Sequence, residues 1–236
     1  ELKIKRALCA QGAFEGVHYS FFSPSDLNLL GLPEDTPEEG NPPDQPINED
    51  LSLMRTTLAP QMIHAIARNQ KNGCLEGRVY EIGNKFIQDL PLTEYPDERE
   101  TVCIGIWGKE ENFFTLKGLV DTVAETLFID FEYVEDKKTF LHPYRTAKIL
   151  YNGEEIGSCQ LTYEIQKEED MRESAYIAEI DLKACVPYTQ GSYLRTDLQV
   201  RQGDQDLALV MSKSVTCGEV EKAIAEASSF VESVEL

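Results

Sequence analysis

A mixed α+β fold is predicted by three features of the chain. Short apolar runs with strand character recur, such as Thr101 to Trp107 (TVCIGIW) and Tyr176 to Leu182 (YIAEIDL). Between them lie helix-period stripes, Met62, Ile63, Ile66 and Ala67 in one segment and Leu116, Leu119, Val120, Val123 and Leu127 in another. Finally, Asn152-Gly153 separates two strand-like segments, 148–151 and 155–161, which is the signature of a type I′ hairpin.

Taken in order, Leu2 to Gln11 reads as a helix stopped by Gly12. Glu15 to Phe22 reads as a strand with Val17, Tyr19 and Phe21 on one side and His18 on the other. Ser23-Pro24-Ser25-Asp26 is a helix start, with a Ser cap, Pro at the first position and an acid in the first turn. Leu32 to Gln45 is acidic and Pro-rich and reads as a solvated loop. The organising stretch is Pro46 to Phe86. Thr57 is the expected N-cap and Pro60 sits in the first turn, where a missing N–H costs nothing. Arg68 and Lys71 lie toward the helix C-terminus, where cations suit the dipole, and Gly73 can take the left-handed position beyond it. A strand is expected over Arg78 to Ile87 and a helix over Phe113 to Leu127. Beyond about residue 200, Asp206 to Met211 reads as a strand, Thr216 with Glu219 as a capping box opening a helix to about Ala227, and Phe230 to Leu236 as a further strand.

Composition bounds the function. The chain has 236 residues and 42% hydrophobic content, enough for a large buried core. No apolar run approaches the roughly 20 residues that a bilayer-spanning helix needs, so no membrane partner is expected. The N-terminus, ELKIKRAL, has neither Met nor an apolar signal core and looks like the start of an excised piece. The net charge of −20 repels nucleic-acid phosphates, so tight nucleic-acid binding by this stretch alone is not expected. Six cysteines form no C-x-x-C pair, several fall in apolar segments, and a reduced, cytoplasmic protein is the simplest account.

The letters carry more than the periodicity does. Leu53-Met54-Arg55-Thr56-Thr57-Leu58-Ala59-Pro60 followed by Tyr80-Glu81-Ile82-Gly83 resembles the core of the beta subunit of bacterial phenylalanyl-tRNA synthetase. Further matches are Tyr19-Ser20-Phe21, Trp107-Gly108 with Phe114, Leu116, Lys117, Gly118 and Val120, then His142, Pro143, Arg145 and Ala147, and Ala178 to Leu182. The resemblance implies the class II aminoacyl-tRNA synthetase fold, an antiparallel sheet flanked by helices. It also implies two parts: a synthetase-like core over 1–198, and over 199–236 the truncated start of a ferredoxin-like anticodon-binding domain.

It further implies a catalytically silent copy. Where an active strand of this type reads G-R-V-Y-R, with an arginine for the ATP α-phosphate, this chain reads Gly77-Arg78-Val79-Tyr80-Glu81. A carboxylate at that position repels phosphate. No catalytic, cofactor-binding or metal residue is therefore expected here. ATP and Mg²⁺ belong to the whole (αβ)₂ enzyme, whose alpha subunit is the expected partner and through which tRNA-Phe is charged with phenylalanine. Candidate subunit-interface residues are Arg55, Pro60, His64, Arg68 and Arg145. His18 and His142 read as structural, and Arg55 reads as a structural ion pair in preference to a substrate contact. The alternative is a free-standing binding or regulatory module derived from the same fold.

Overall fold

A computed structural model describes residues 1–29, 51–87, 95–135, 146–161, 167, 169–185, 207–212, 215–228, 231 and 233–234. The chain divides into two compact units, Glu1–Gly191 and Ser192–Leu236.

The first unit is built on a seven-stranded sheet. Its elements are α1 (Leu2–Ala10), β1 (Phe14–Glu15), β2 (Phe21–Phe22), α2 (Pro24–Leu29), β3 (Leu53–Met54), α3 (Ala59–Lys71), β4 (Gly77–Ile87) and β5 (Asp97–Trp107). They continue with α4 (Phe113–Leu127), β6 (Glu132–Glu135), β7 (Ala147–Tyr151), β8 (Glu154–Leu161), β9 (Ala175–Asp181) and a helical turn, α5 (Leu182–Cys185). The strand order is β1-β4-β5-β9-β8-β7-β6, and every pairing is antiparallel except the parallel β1–β4 contact. β2 and β3 form a separate two-stranded ribbon.

Period-two alternation sorts the sheet into two faces. Tyr80 of β4, Val102, Ile104 and Ile106 of β5 and Tyr176, Ala178 and Ile180 of β9 point one way. They meet Ile4 and Leu8 of α1 and Leu116, Leu119, Val120 and Val123 of α4 in the larger core. Cys103, Trp107, Ala175 and Ile177 point the other way, under Leu58, Met62, Ile63 and Ile66 of the α3 segment. Gly105 lets α3 come this close, because a Cβ there would lie 2.8 Å from Cγ and Sδ of Met62 and 2.9 Å from Ile66. Trp107 is buried and donates its indole N–H to the Cys74 carbonyl at 2.9 Å.

Several expected elements stand where the sequence puts them. α4 spans Phe113–Leu127, opened by Asn112, whose side chain accepts from the amides of Phe114 and Thr115. Asn152 and Gly153 both take positive φ, 51° and 80°, in the β7–β8 turn. Gly73, with φ 88°, follows α3, and Asp26 takes the Ser23 amide at 2.8 Å at the head of α2.

Others need correction. Thr57 stands one residue outside the cap position, which is Leu58. Its hydroxyl accepts the amide of Ala59, the first residue of α3, at 3.2 Å, as expected of it. The Leu58 amide goes to Glu179 of β9 at 3.1 Å, and the Thr57 hydroxyl donates to the same carboxylate oxygen at 2.5 Å. The expected strand over 15–22 is interrupted. The Gly16 amide still reaches the Tyr80 carbonyl at 2.7 Å, but the Ser20 carbonyl turns to the Arg55 amide at 3.0 Å, so one continuous ladder cannot form. The β9 strand ends at Asp181, because Leu182 begins the α5 turn. Cysteines divide: Cys103 and Cys185 are buried, while Cys9, Cys74 and Cys217 are exposed. The expected loop 32–45 lies outside the described residues.

In the second unit, α6 (Cys217–Ala227) opens with the expected capping box: the Glu219 amide donates to the Thr216 hydroxyl and the Thr216 amide to the Glu219 carboxylate. The strand expected over 206–211 is absent over 207–211, where Leu207, Leu209, Val210 and Met211 are exposed. A strand needs a neighbour to satisfy its backbone groups, and the described residues supply none. Val231, Ser233 and Val234, the described part of the last expected strand, carry no ladder either.

Candidate functional site

The face of the sheet that carries α3 has a second half, beyond the helix N-terminus, and it is charged. Cross-strand register aligns Glu81, Cys103 and Glu179 in one row, then Gly83, Thr101 and Asp181, then Lys85 and Arg99. Alternation alone puts them there: Val79, Glu81, Gly83 and Lys85 are successive odd residues of β4.

Glu81 is the centre, only 3% exposed. Arg55 Nη1 donates to its Oε1 at 2.8 Å, and Nδ1 of His18 lies 2.6 Å from its Oε2. Arg55 is itself 2% exposed and also donates Nε–H to the Asn84 carbonyl at 2.9 Å. Gly83 makes this possible, because a Cβ there would run into Nη2 of Arg55. Burial works against the ionised Glu81, yet the His18 hydrogen bond and the Arg55 charge together outweigh it and hold the carboxyl below its ordinary value. The neighbouring Cys103 thiol is pushed well up by burial, so it stays an unreactive thiol.

The surrounding charges are also matched. Lys85 stands 3.7 Å from Glu179 and 3.8 Å from Asp181, and Arg99 3.5 Å from Asp181. Both Glu81 oxygens, the Arg55 guanidinium and the His18 ring are thus engaged within the chain. This arrangement does not fit a nucleotide phosphate, which needs a guanidinium with free donors at the centre of the face.

Of the residues expected at a subunit interface, Arg55 and Pro60 are buried within the chain. His64 is half-exposed, its Nε2 2.7 Å from Asp26 of α2, and Arg68 is exposed on α3. Arg145 and His142 lie outside the described residues. Sequence reasoning missed His18 as a partner of Glu81. The available signal was its facing: it points opposite to Val17 and Tyr19 and hence toward the sheet.

At the adjoining edge of the same sheet, along β1 and the segment after it that carries His18, Phe14, Val17 and Tyr19 are 75%, 87% and 70% exposed. A groove of about 390 Å³ adjoins Phe14, where Arg78 donates to Glu111 at 2.8 Å and to the Gln11 carbonyl at 3.0 Å. Among the described residues no helix is long and apolar enough to cross a membrane.

The comparisons agree with this geometry. The family described as "Phenylalanyl tRNA synthetase beta chain CLM domain" matches residues 1–182. The phenylalanine–tRNA ligase beta subunit of Clostridium tetani is 29% identical over 230 residues, covering 95% of this chain and 29% of that protein. The one from Bacillus subtilis is 32% identical over 197 residues, covering 77% and 24%. The chain therefore spans less than a third of the length of these relatives. The pyrrolysyl-tRNA synthetase of Desulfitobacterium hafniense superposes with a TM-score of 0.65 at 18% identity, covering 78% of this chain and 66% of that one, a likeness of fold. The match of that family's model over residues 1–182, more than half of the chain, places the chain in the phenylalanyl-tRNA synthetase beta chain family.

Proposed function

We propose that this chain is the non-catalytic core of a phenylalanine–tRNA ligase beta subunit, and that it serves assembly of an (αβ)₂ enzyme in the cytoplasm. The observation that carries the reading is the closed Arg55–Glu81–His18 cluster, built on the carboxylate that stands, by the sequence resemblance, where an active strand of this type carries an arginine for ATP. In this reading ATP, Mg²⁺, phenylalanine and tRNA-Phe are handled by the assembled enzyme, chiefly through the alpha subunit. The second unit reads as the start of the ferredoxin-like anticodon-binding domain.

The exposed Phe14, Val17 and Tyr19, close together in sequence along one sheet edge, are the apolar side chains that support partner docking, since grouped exposed apolar residues on a folded domain mark an interaction site. His64, Arg68 and Arg145 are retained as candidate contacts, whereas Arg55 and Pro60 shape the fold beneath them. Size-exclusion chromatography with light scattering, on this chain mixed with the matching alpha subunit, tests the reading. Co-elution as a heteromer, weakened by Val17→Lys at unchanged far-UV circular dichroism, is the expected result. Separation under conditions where full-length beta subunit co-elutes would refute assembly through this core. Separation of the full-length protein as well would favour the free-standing module.

A further inference from the structure

Among the described residues, His64 is the one α3 side chain that faces carboxylates from two other segments. Its Nε2 lies 2.7 Å from Oδ1 of Asp26 on α2, and its Nδ1 lies 3.5 Å from Oε1 of Glu169, in the turn that precedes β9. A carboxylate only accepts, and a neutral imidazole carries a single N–H. Both contacts are favourable together only when the ring is an imidazolium.

We propose that His64 is a pH-operated clasp that holds the Glu169 turn against α3 when protonated and releases it when neutral. The two carboxylates are not equivalent. Oδ2 of Asp26 is fixed by the Ser23 amide at 2.8 Å and the Ser23 hydroxyl at 3.0 Å, so Oδ1 is held in line with Nε2. Among the described residues, Glu169 has only the charges of His64 and Lys71, the latter at 3.5 Å. On loss of one proton the remaining N–H stays with Asp26, and Nδ1 turns a lone pair toward the Glu169 carboxylate. The attraction becomes a repulsion, and the turn is left to Lys71 alone. Arg68, one turn further along α3, opposes the protonated ring, while Asp26 and Glu169 favour it.

The sign follows from the partners. The Asp26 hydrogen bond, against burial, raises the His64 pKa above its ordinary value. The clasp is therefore fully closed below the ordinary histidine pKa of about 6.5 and opens as pH rises through the higher folded value. Burial works against the charged Asp26, but the His64 and Ser23 hydrogen bonds outweigh it, so Asp26 stays ionised as pH falls below its ordinary value.

The structure carries its own control. Gln70 Oε1 accepts the amides of Arg172 and Glu173, both at 2.8 Å, and its Nε2 donates to the Glu173 carbonyl at 3.1 Å. These bonds pin the chain three residues later and involve no titrating group. Release is thus confined to the turn at 169–170, where the Asp170 amide reaches the Lys167 carbonyl at 3.4 Å.

Hydrogen–deuterium exchange resolved to single amides, corrected for the intrinsic rise of rate with pH, tests this directly. The wild-type chain is expected to lose protection at 169–170 by roughly two- to fivefold as pH rises through the His64 titration, the range of a partly exposed charge pair. Protection at 172–173 is expected to stay constant. His64→Gln is expected to show the open state at every pH, and Glu169→Gln to remove the pH dependence and to lower the His64 pKa read by NMR. Protection at 169–170 that is independent of pH, or a His64 titration identical in Glu169→Gln and wild type, would overturn the proposal. It stands or falls independently of any partner subunit.

Discussion

One face of the central sheet carries two halves that are held in opposite ways. Under α3, Gly105, Cys103, Trp107, Ala175 and Ile177 are covered by Leu58, Met62, Ile63 and Ile66, and the contact is apolar. A few residues along the same strands, Glu81, Gly83, Lys85, Arg99, Glu179 and Asp181 are covered by Arg55, His18 and one another. The strands and their register continue unchanged across the boundary. Only the covering segment changes, so the apolar half is stabilised by area and the polar half by matched charge. A charge left behind in the polar half therefore costs more than a methyl group lost from the other.

The largest expected effect is in the polar half. Arg55→Ala leaves Glu81 buried without its guanidinium and is expected to lower stability by about 3–5 kcal/mol, measured by urea unfolding. In the apolar half, Ile66→Ala removes a fully buried side chain and is expected to cost about 2–4 kcal/mol, with an unchanged denaturant slope. Gly83→Ala puts a Cβ against the Arg55 guanidinium and is expected to cost about 1–3 kcal/mol, a loss that Arg55→Ala in the same chain partly relieves. The smallest effect is expected at the junction of the halves. Glu179→Gln weakens the acceptor for the Leu58 amide at the head of α3 and is expected to cost about 1 kcal/mol.

pH separates the halves again. The folded Glu81 carboxyl lies below its ordinary value of 4.5, so its contribution is complete above that pH and is lost as pH falls through the lower folded value. The wild-type chain is expected to lose stability across that acid window, and Glu81→Gln to lose less there. Unfolding curves recorded from neutral pH downward check the sign.

How much of this was readable in the letters differs between the halves. The apolar half was legible. The stripe of Met62, Ile63 and Ile66 and the run TVCIGIW each encode burial locally, and both elements stand where periodicity puts them. Glu81 was legible through the resemblance, as a carboxylate where an active strand of this type carries an arginine. Its partners were not. Arg55 is 26 residues away, His18 is 63, and neither spacing has a local signature. The head of α3 was half legible for the same reason. Thr57 accepts the Ala59 amide as its chemistry suggests, one residue before the cap position, while Glu179, 121 residues from the Leu58 amide, supplies the other acceptor through sheet topology. The strand expected at 206–211 shows the converse. Its letters have strand character, but no partner stands beside it among the described residues.

Arg55 and Glu81 act as one closed unit at the centre of the polar face. A double-mutant cycle with Arg55→Met and Glu81→Met, read by urea unfolding, tests it most directly. The account predicts that each single variant is strongly destabilised and that the double variant is more stable than either, a coupling of about 2–3 kcal/mol. Additive losses would mean that the two side chains do not neutralise each other, and would contradict the account.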